Sequence, residues 1–505
     1  MGQHNNKGQH PRAGQRGKGA QRIYSQQHLR AAQCTGDGQN AGSAQAAGSA
    51  QHPRAEQHVG SAQHTGAQAI ELDDMGMTPF LRKVTLFSSG GPFLDGYVLA
   101  IIGVALVQLG GRLDLTNLEI ALVGVAALVG LFVGTAVGGY VTDLIGRKLM
   151  FTINIVAIGV MSVASVFIWD AASLIALRFL IGIVIGADYP IATSLVAEFT
   201  PRRYRTMSMG VLAAMWYVGA SVAGLVGYLC VGLEDGWRLM LGSAVVPCVI
   251  ILIGRLEIPE SPRWLARHGR MEEANAIVQR LFGAQVRLEP EQVVRTRYRK
   301  LFQKGYLGRV LFVGTIWLCQ VVPMFALYTF GPQLMEAFGL GSGHQAILGD
   351  LVISLFFLLG CLPAMYLLNS LGRRPMLIGS FALMTLALLV LGLVPAAGVV
   401  LVVAIFGLYA FFSGGPGIMQ WLYPNELFPT DIRASAVGAA MAFSRIGTVL
   451  ATYALPLFLA AYGIGPTMLV GAGISALGLV ISALMAPETK NRSLAQTSSL
   501  DKGQR

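Results

Sequence analysis

The chain has 505 residues, 54% of them hydrophobic and only 12% charged, against roughly a quarter charged in an average soluble domain; that deficit excludes a large soluble core in favour of a lipid-facing protein. The net charge of +11 lies mostly in a polar tail and in loops on one side, where positive charge is a topology signal, so nucleic acid is excluded as a partner. The five cysteines have no disulfide-framework or zinc-site spacing, and neither a P-loop nor an HExxH motif is present. The chain reads as a non-enzyme with no metal and no cofactor.

Residues 1–75 form a low-complexity tail rich in Gln, Gly, Ala and His, in which Gln9-His10-Pro11-Arg12-Ala13 recurs as Gln51-His52-Pro53-Arg54-Ala55. Apolar side chains are too sparse there to build a core, so disorder is expected. It has no apolar h-region and is not a secretory signal peptide. A chain start at Met75 or Met77 would account for it equally.

From Val84 onward the sequence alternates between apolar runs and polar turns. The runs cover 84–109, 118–141, 148–169, 172–197, 206–233 and 236–257, then 308–334, 346–368, 375–394, 398–422, 434–461 and 464–486, each near the ~20 residues that cross a bilayer. The expected fold is an all-α membrane protein with twelve transmembrane helices in two pseudo-symmetric six-helix halves, 80–257 and 308–487. A polar, basic central loop spans 258–307, with short helices expected at Met271–Phe282 and Glu289–Gln303, and a tail follows at 488–505. Basic turns at Arg147, Arg202–Arg205, Arg373–Arg374 and Arg433 fall on the side of the central loop, while Arg112 and Arg238 are exceptions on the other. By the positive-inside rule both termini are cytoplasmic in a cell membrane.

The halves echo one another. Asp143-Leu144-Ile145-Gly146-Arg147-Lys148 returns as Asn369-Ser370-Leu371-Gly372-Arg373-Arg374, an offset of 226 from Gly146 to Gly372. Glu198, with Pro at +3 and Arg205 at +7, returns as Glu426 with Pro429 and Arg433, and Pro259-Glu260-Ser261 returns as Pro487-Glu488-Thr489, each at an offset of 228. Tandem copies of one design are the parallel repeat expected of one transporter architecture.

These motifs resemble those of the major facilitator superfamily over about residues 80–490. Pro259–Leu265 and Pro487–Lys490 are similar to the sugar-porter branch, and Phe93-Leu94-Asp95-Gly96-Tyr97 to bacterial metabolite:proton symporters. Gly186-Ala187-Asp188-Tyr189-Pro190 resembles the fourth helix of phosphate:proton symporters. The resemblance implies alternating access around a mid-membrane site. It also implies a loop-side, cytoplasmic gate built from Asp143, Gly146, Arg147, Lys148, Glu198, Arg205, Gly372, Arg373, Glu426 and Arg433. Asn369 replaces the acid expected in the second half, which makes that half the weaker latch.

Ionisable residues well inside the spans are few: Asp95, Arg178, Asp188 and Arg445, with Asp350 about one turn in. Such groups are expensive in lipid and mark functional sites. Asp95 lies ~18 Å into its span from one side and Arg178 ~13 Å into its own from the other, depths that nearly coincide in a ~30 Å core. Asp95 and Arg178 can therefore pair if the first and fourth spans are neighbours, an adjacency that the resemblance to sugar porters implies, and with Asp188 they form the candidate proton-coupling set; a purely structural ion pair is the competing reading. Tyr189, Gln320, Tyr328, Trp421 and Arg445 are the candidate substrate contacts. Aligned on Pro332, Gln320 matches a sugar-contacting Gln of sugar porters, but Phe325 stands where an Asn is expected and Cys319 where a neighbouring Gln is expected. Arg445 needs an anion, supplied by Asp350 or by the substrate.

The expected function is secondary active transport of a small polar metabolite (a sugar, polyol, organic acid or phosphate) by proton symport across the lipid bilayer. A transporter-like nutrient sensor and a drug efflux transporter are the alternatives. The short tail after Ala486 argues against the first and the Pro259–Leu265 signature against the second.

Overall fold

Backbone polar groups in hydrocarbon must be satisfied within their own segment, which leaves an apolar run one solution, a helix. The computed structural model describes residues 70–71, 76–200, 202–283, 286–287, 301–341, 343–396, 398–429 and 432–490. Of the expected tail only Ile70–Glu71 is described. It forms a short strand, β1, parallel to β2 (Val286–Arg287), with Ile70 opposite Val286. The rest of that expectation, and most of the helix expected at Glu289–Gln303, lie outside the described residues.

The first half comprises α1 (Pro79–Ser88), α2 (Gly90–Arg112), α3 (Asn117–Ile145), α4 (Arg147–Ser165), α5 (Ala171–Phe199), α6 (Arg202–Cys230), α7 (Gly236–Gly242) and α8 (Val245–Arg255). Short helices α9 (Pro262–Arg267) and α10 (Met271–Phe282) follow, the latter at the expected bounds. The second half comprises α11 (Lys304–Ala337), α12 (His344–Ser370), α13 (Arg373–Leu393), α14 (Val399–Leu427), α15 (Arg433–Tyr462) and α16 (Ile464–Met485). Among the described residues twelve spans are long and apolar enough to cross a membrane.

Two spans are each built from two helices. The first changes helix at Ser89, just before Gly90-Gly91-Pro92, where Pro92 supplies no backbone donor. The sixth breaks between Gly242 and Val245. The seventh, α11, is one helix with a kink at Phe330 (φ −130°, ψ 21°), two residues before Pro332.

Packing repeats the sequence echo. In the first half α2 lies on α6, α3 on α5 and α4 on α8; in the second, α11 lies on α15, α12 on α14 and α13 on α16. Glycines bring two of these helices into close contact. A Cβ on Gly134 would come within 1.9 Å of the Ile183 carbonyl, and one on Gly182 within 2.1 Å of the Ala127 carbonyl, so α3 and α5 touch backbone to backbone. The halves meet where α3 packs on α15, α6 on α12 and α2 on α11. Large apolar side chains such as Val160, Val400 and Leu484 stand exposed on the helix surfaces, a liability in water and the expected face towards lipid.

Candidate functional site

A cavity of about 50 Å³ opens between the halves. Pro92 of α2, Ala192 of α5 and Leu212, Ala213, Trp216 and Tyr217 of α6 line one side. Trp317, Val321, Met324 and Phe325 of α11, Gly417, Gln420 and Trp421 of α14, and Arg445 of α15 line the other. Of the candidate substrate contacts, Trp421 and Arg445 face it. The Arg445 guanidinium lies 5.2 Å from the Phe325 ring centroid, an attractive cation–π placement. Trp421 meets Trp317 edge-on at 6.0 Å.

Gln320 and Tyr328 depart from expectation. Gln320 is fully buried behind the cavity wall: its Nε2 donates to Ser413 Oγ at 3.0 Å and its Oε1 accepts from Gln420 Nε2. Each amide thus satisfies part of the other. Tyr328 also stands behind the lining, packed on Trp216 at 5.0 Å and Phe357 at 5.2 Å. The wall that α6 contributes, Trp216 and Tyr217, carried no mark in the sequence, because an aromatic residue inside an apolar run looks like core.

The expected Asp95–Arg178 ion pair does not form. Arg178 Nη1 donates to the Val98 carbonyl at 2.9 Å, three residues beyond Asp95 and so ~4.5 Å further along the helix. A depth estimate good to one turn cannot separate these acceptors, and the nearer one is a backbone carbonyl. Asp95 is 1% exposed, and neither carboxylate oxygen has a hydrogen-bond partner among the described residues. It lies one turn from Pro92 on the same helix face, and Pro92 lines the cavity. No ion pair joins Asp350 and Arg445; Asp350 packs against Gly331 of α11.

Asp188 rests on the turn that starts α2: a Cβ on Gly91 would fall 1.8 Å from its Oδ2. Its neighbours are Asn154 of α4 and Arg255 of α8. Arg255 is buried, donates from Nε to the Phe87 carbonyl at 2.9 Å and lies over the Phe151 ring. Asp188 and Arg255 thus grip the α1–α2 joint from two sides. Arg255 stands near the end of the apolar run 236–257, where cations are ordinary, so nothing in the sequence marks it.

At the loop face, Gly146 (φ +109°) and Gly372 (φ +100°) make the tight turns into α4 and α13, a conformation that favours glycine. Each turn is completed by the Pro-Glu echo, a partnership the sequence did not reveal. Glu260 accepts from the Arg147 and Lys148 backbone N–H groups at 3.0 and 3.1 Å. Glu488 accepts from Arg373 and Arg374 at 3.1 Å each. A carboxylate at a helix N-terminus satisfies orphan donors and the positive end of the dipole. Burial would push Glu488 up, but N–H donors from Lys490, Arg373, Arg374 and Thr489 outweigh it and hold the carboxyl below its ordinary value. Arg373 also pairs with Glu426 at 2.8 Å, both sides largely buried, and Glu426 accepts from Thr489 Oγ1. The side chains of Asp143, Tyr189, Glu198, Arg205, Asn369 and Arg433 lie outside the described residues.

Twelve membrane-length helices in two repeated halves, with a cavity between them lined from both, define a multi-pass membrane transporter. The family model described as Sugar (and other) transporter matches residues 83–500, and the chain belongs to that family, within the major facilitator superfamily. It is 59% identical over 434 residues to YaaU of Escherichia coli (strain K12), spanning 86% of this chain and 98% of that one. It is 37% identical over 424 residues to the inner membrane metabolite transport protein YgcS of the same organism, spanning 83% and 94%. The xylose transporter XylE from E. coli, in a partially occluded inward open conformation, superposes with a TM-score of 0.70 at 20% identity, covering 82% of this chain and 100% of that chain. These relatives are transporters and not enzymes.

Proposed function

We propose that this protein is a proton-coupled symporter of a small polar metabolite, working by alternating access around the cavity between the halves, with both termini and the central loop in the cytoplasm. The observation that carries the reading is Asp95: a buried carboxyl without a hydrogen-bond partner among the described residues, one turn from a residue that lines the cavity. Protonation removes a charge that the bilayer interior otherwise makes expensive. Arg178 positions α5 against α2 at Val98, and Asp188 with Arg255 holds the joint at which α2 begins. Arg445 faces the same cavity and is the candidate contact for an anionic substrate. Relatives named for xylose and arabinose with protons support the coupling; sugar, polyol, organic acid and phosphate are the substrate classes in play.

The test is uptake by proteoliposomes of D-xylose, myo-inositol, inorganic phosphate and small organic acids, driven by a pH gradient, beside counterflow. Asp95→Asn fixes the neutral form. It should abolish accumulation against a gradient and retain exchange. Accumulation by Asp95→Asn would remove Asp95 from the coupling role.

A further inference from the structure

A second cavity, of about 160 Å³, lies wholly within the second half. Its floor is Val322, Leu327 and Leu334 of α11, which bracket the kink at Phe330, with Leu388 of α13 and Phe406 of α14. All five are buried. Its mouth lies between α15 and α16, where Ala454, Leu455, Phe458, Val470, Gly471 and Ile474 are exposed or half-buried. Leu450, Leu457 and Leu477 stand exposed on the same two helices, so the opening is continuous with the face expected towards lipid. Among the described residues of the wall, Thr467 is the one polar side chain, and its hydroxyl donates to the Gly463 carbonyl at 2.7 Å. A buried water needs about two to four polar partners, and this wall does not provide them; an apolar cavity of about 150 Å³ stays dry and takes up a hydrocarbon guest. Left empty, the lining forfeits dispersion contacts.

Depth selects the guest. Thr467 and Ile474 lie ~4 and ~15 Å from the start of α16, and Phe458 and Ala451 ~6 and ~16 Å from the end of α15. Both of those helix ends are on the face away from the central loop. The cavity therefore runs from just below that face to the middle of a ~30 Å hydrocarbon core, the extent of one leaflet. Tyr462 stands above it, exposed and packed on Phe458 with ring centroids 4.6 Å apart, as an aromatic residue at headgroup level does.

We propose that this cavity binds one acyl chain of a phospholipid from the leaflet away from the central loop, entering between α15 and α16 below Tyr462 and resting on α11 on both sides of its kink. The headgroup stays in the bilayer surface, and the wall asks nothing of it. The site is separate from the cavity between the halves and does not depend on what that cavity carries.

The experiment places the purified full-length protein in nanodiscs of phosphatidylcholine that carries a diazirine midway along one chain, photolyses it and maps the adducts by mass spectrometry. Adducts should fall on the buried floor, at Leu327 and Leu388, as well as on exposed Val160 and Leu484 elsewhere on the lipid face. Gly471→Leu fills the cavity from the protein side: a Cβ there meets Leu388 at 3.4 Å, an ordinary contact. It should lose the floor adducts and keep those at Val160 and Leu484. Gly473→Leu makes the same change on the same helix where a Cβ meets nothing within 4 Å, and should keep both sets. Ala454→Phe closes the mouth independently and should act as Gly471→Leu does, which keeps the test available where one of the two does not fold. Absence of floor adducts in the unmodified protein overturns the proposal, as do floor adducts undiminished in the filled variants or lost equally in Gly473→Leu. Floor labelling by a free fatty acid carrying the same diazirine, without labelling by the phospholipid, overturns the phospholipid as its source.

Discussion

Replacing Glu260 with Ala removes a carboxylate from the first turn of α4. Its oxygens accept from Arg147 N at 3.0 Å, Lys148 N at 3.1 Å and Ser261 N at 2.9 Å. The first two of these donors open a helix and have no intrahelical partner. A hydrogen bond is worth about 1 kcal/mol net, and an anion at a helix N-terminus about 0.3–1 kcal/mol more. The loss for Glu260→Ala is therefore about 2–3 kcal/mol. Glu260→Gln keeps an acceptor and gives up the charge, which puts its loss at about 1 kcal/mol or less. Thermal unfolding in detergent reads this directly: at about 2–4 °C per kcal/mol for a unit the size of one half, Ala lowers the midpoint by about 4–12 °C and Gln by less than half as much. Glu488→Ala should cost a similar amount, and the double variant the sum, since the two carboxylates share no partner. Equal losses for Ala and Gln at position 260 would show that the carboxylate is not what holds the turn, and so would no loss for either.

Two further outcomes follow from the same face. The Glu488 cap is acid-sensitive: because its folded carboxyl is held low, its contribution is complete above the unfolded value of about 4.3 and is lost as pH falls through the folded value. Melting curves between neutral and acid pH should lose part of that dependence in Glu488→Gln, and identical slopes would contradict the cap. The Arg373–Glu426 pair at 2.8 Å is expected to latch the loop side closed. In a background stripped of native cysteines, Arg373→Ala should raise loop-side labelling of a cysteine at Ala213 by about 5–30-fold, the equivalent of 1–2 kcal/mol; unchanged labelling would deny the latch.

The helices were legible because lipid imposes one rule on every span: apolar runs of fixed length ending at Gly, Pro or charge. Each expected run is found as a helix or a broken pair of helices, and Met271–Phe282 matches to the residue. The site was legible only in part. Arg445 and Trp421 declared themselves, one as a cation in lipid and the other by its spacing from Glu426. Arg178 did not yield its partner, because sequence gives depth along a helix and not azimuth around it, and a backbone carbonyl leaves no sequence signature. Gln320 was found but not its engagement with Gln420, which depends on two helices a hundred residues apart. The Pro-Glu echo was visible at an offset of 228, yet that the two acids close the turns at Gly146 and Gly372 required the fold.

Glu260 belongs to the chain leaving the first half, and Glu488 to the chain leaving the second. Neither is fastened to the helix it follows; each is tied across to the start of another, α4 and α13 respectively. The arrangement works like the clamp that anchors a cable where it enters a housing. A tug from the central loop or from the tail is taken up at a helix end inside the same half and does not unwind the last turn of α8 or α16. The polar segments that trail from the halves can then be lengthened, tagged or bound by other molecules with little mechanical consequence for the cavity, provided the clamp residue and its glycine turn are kept.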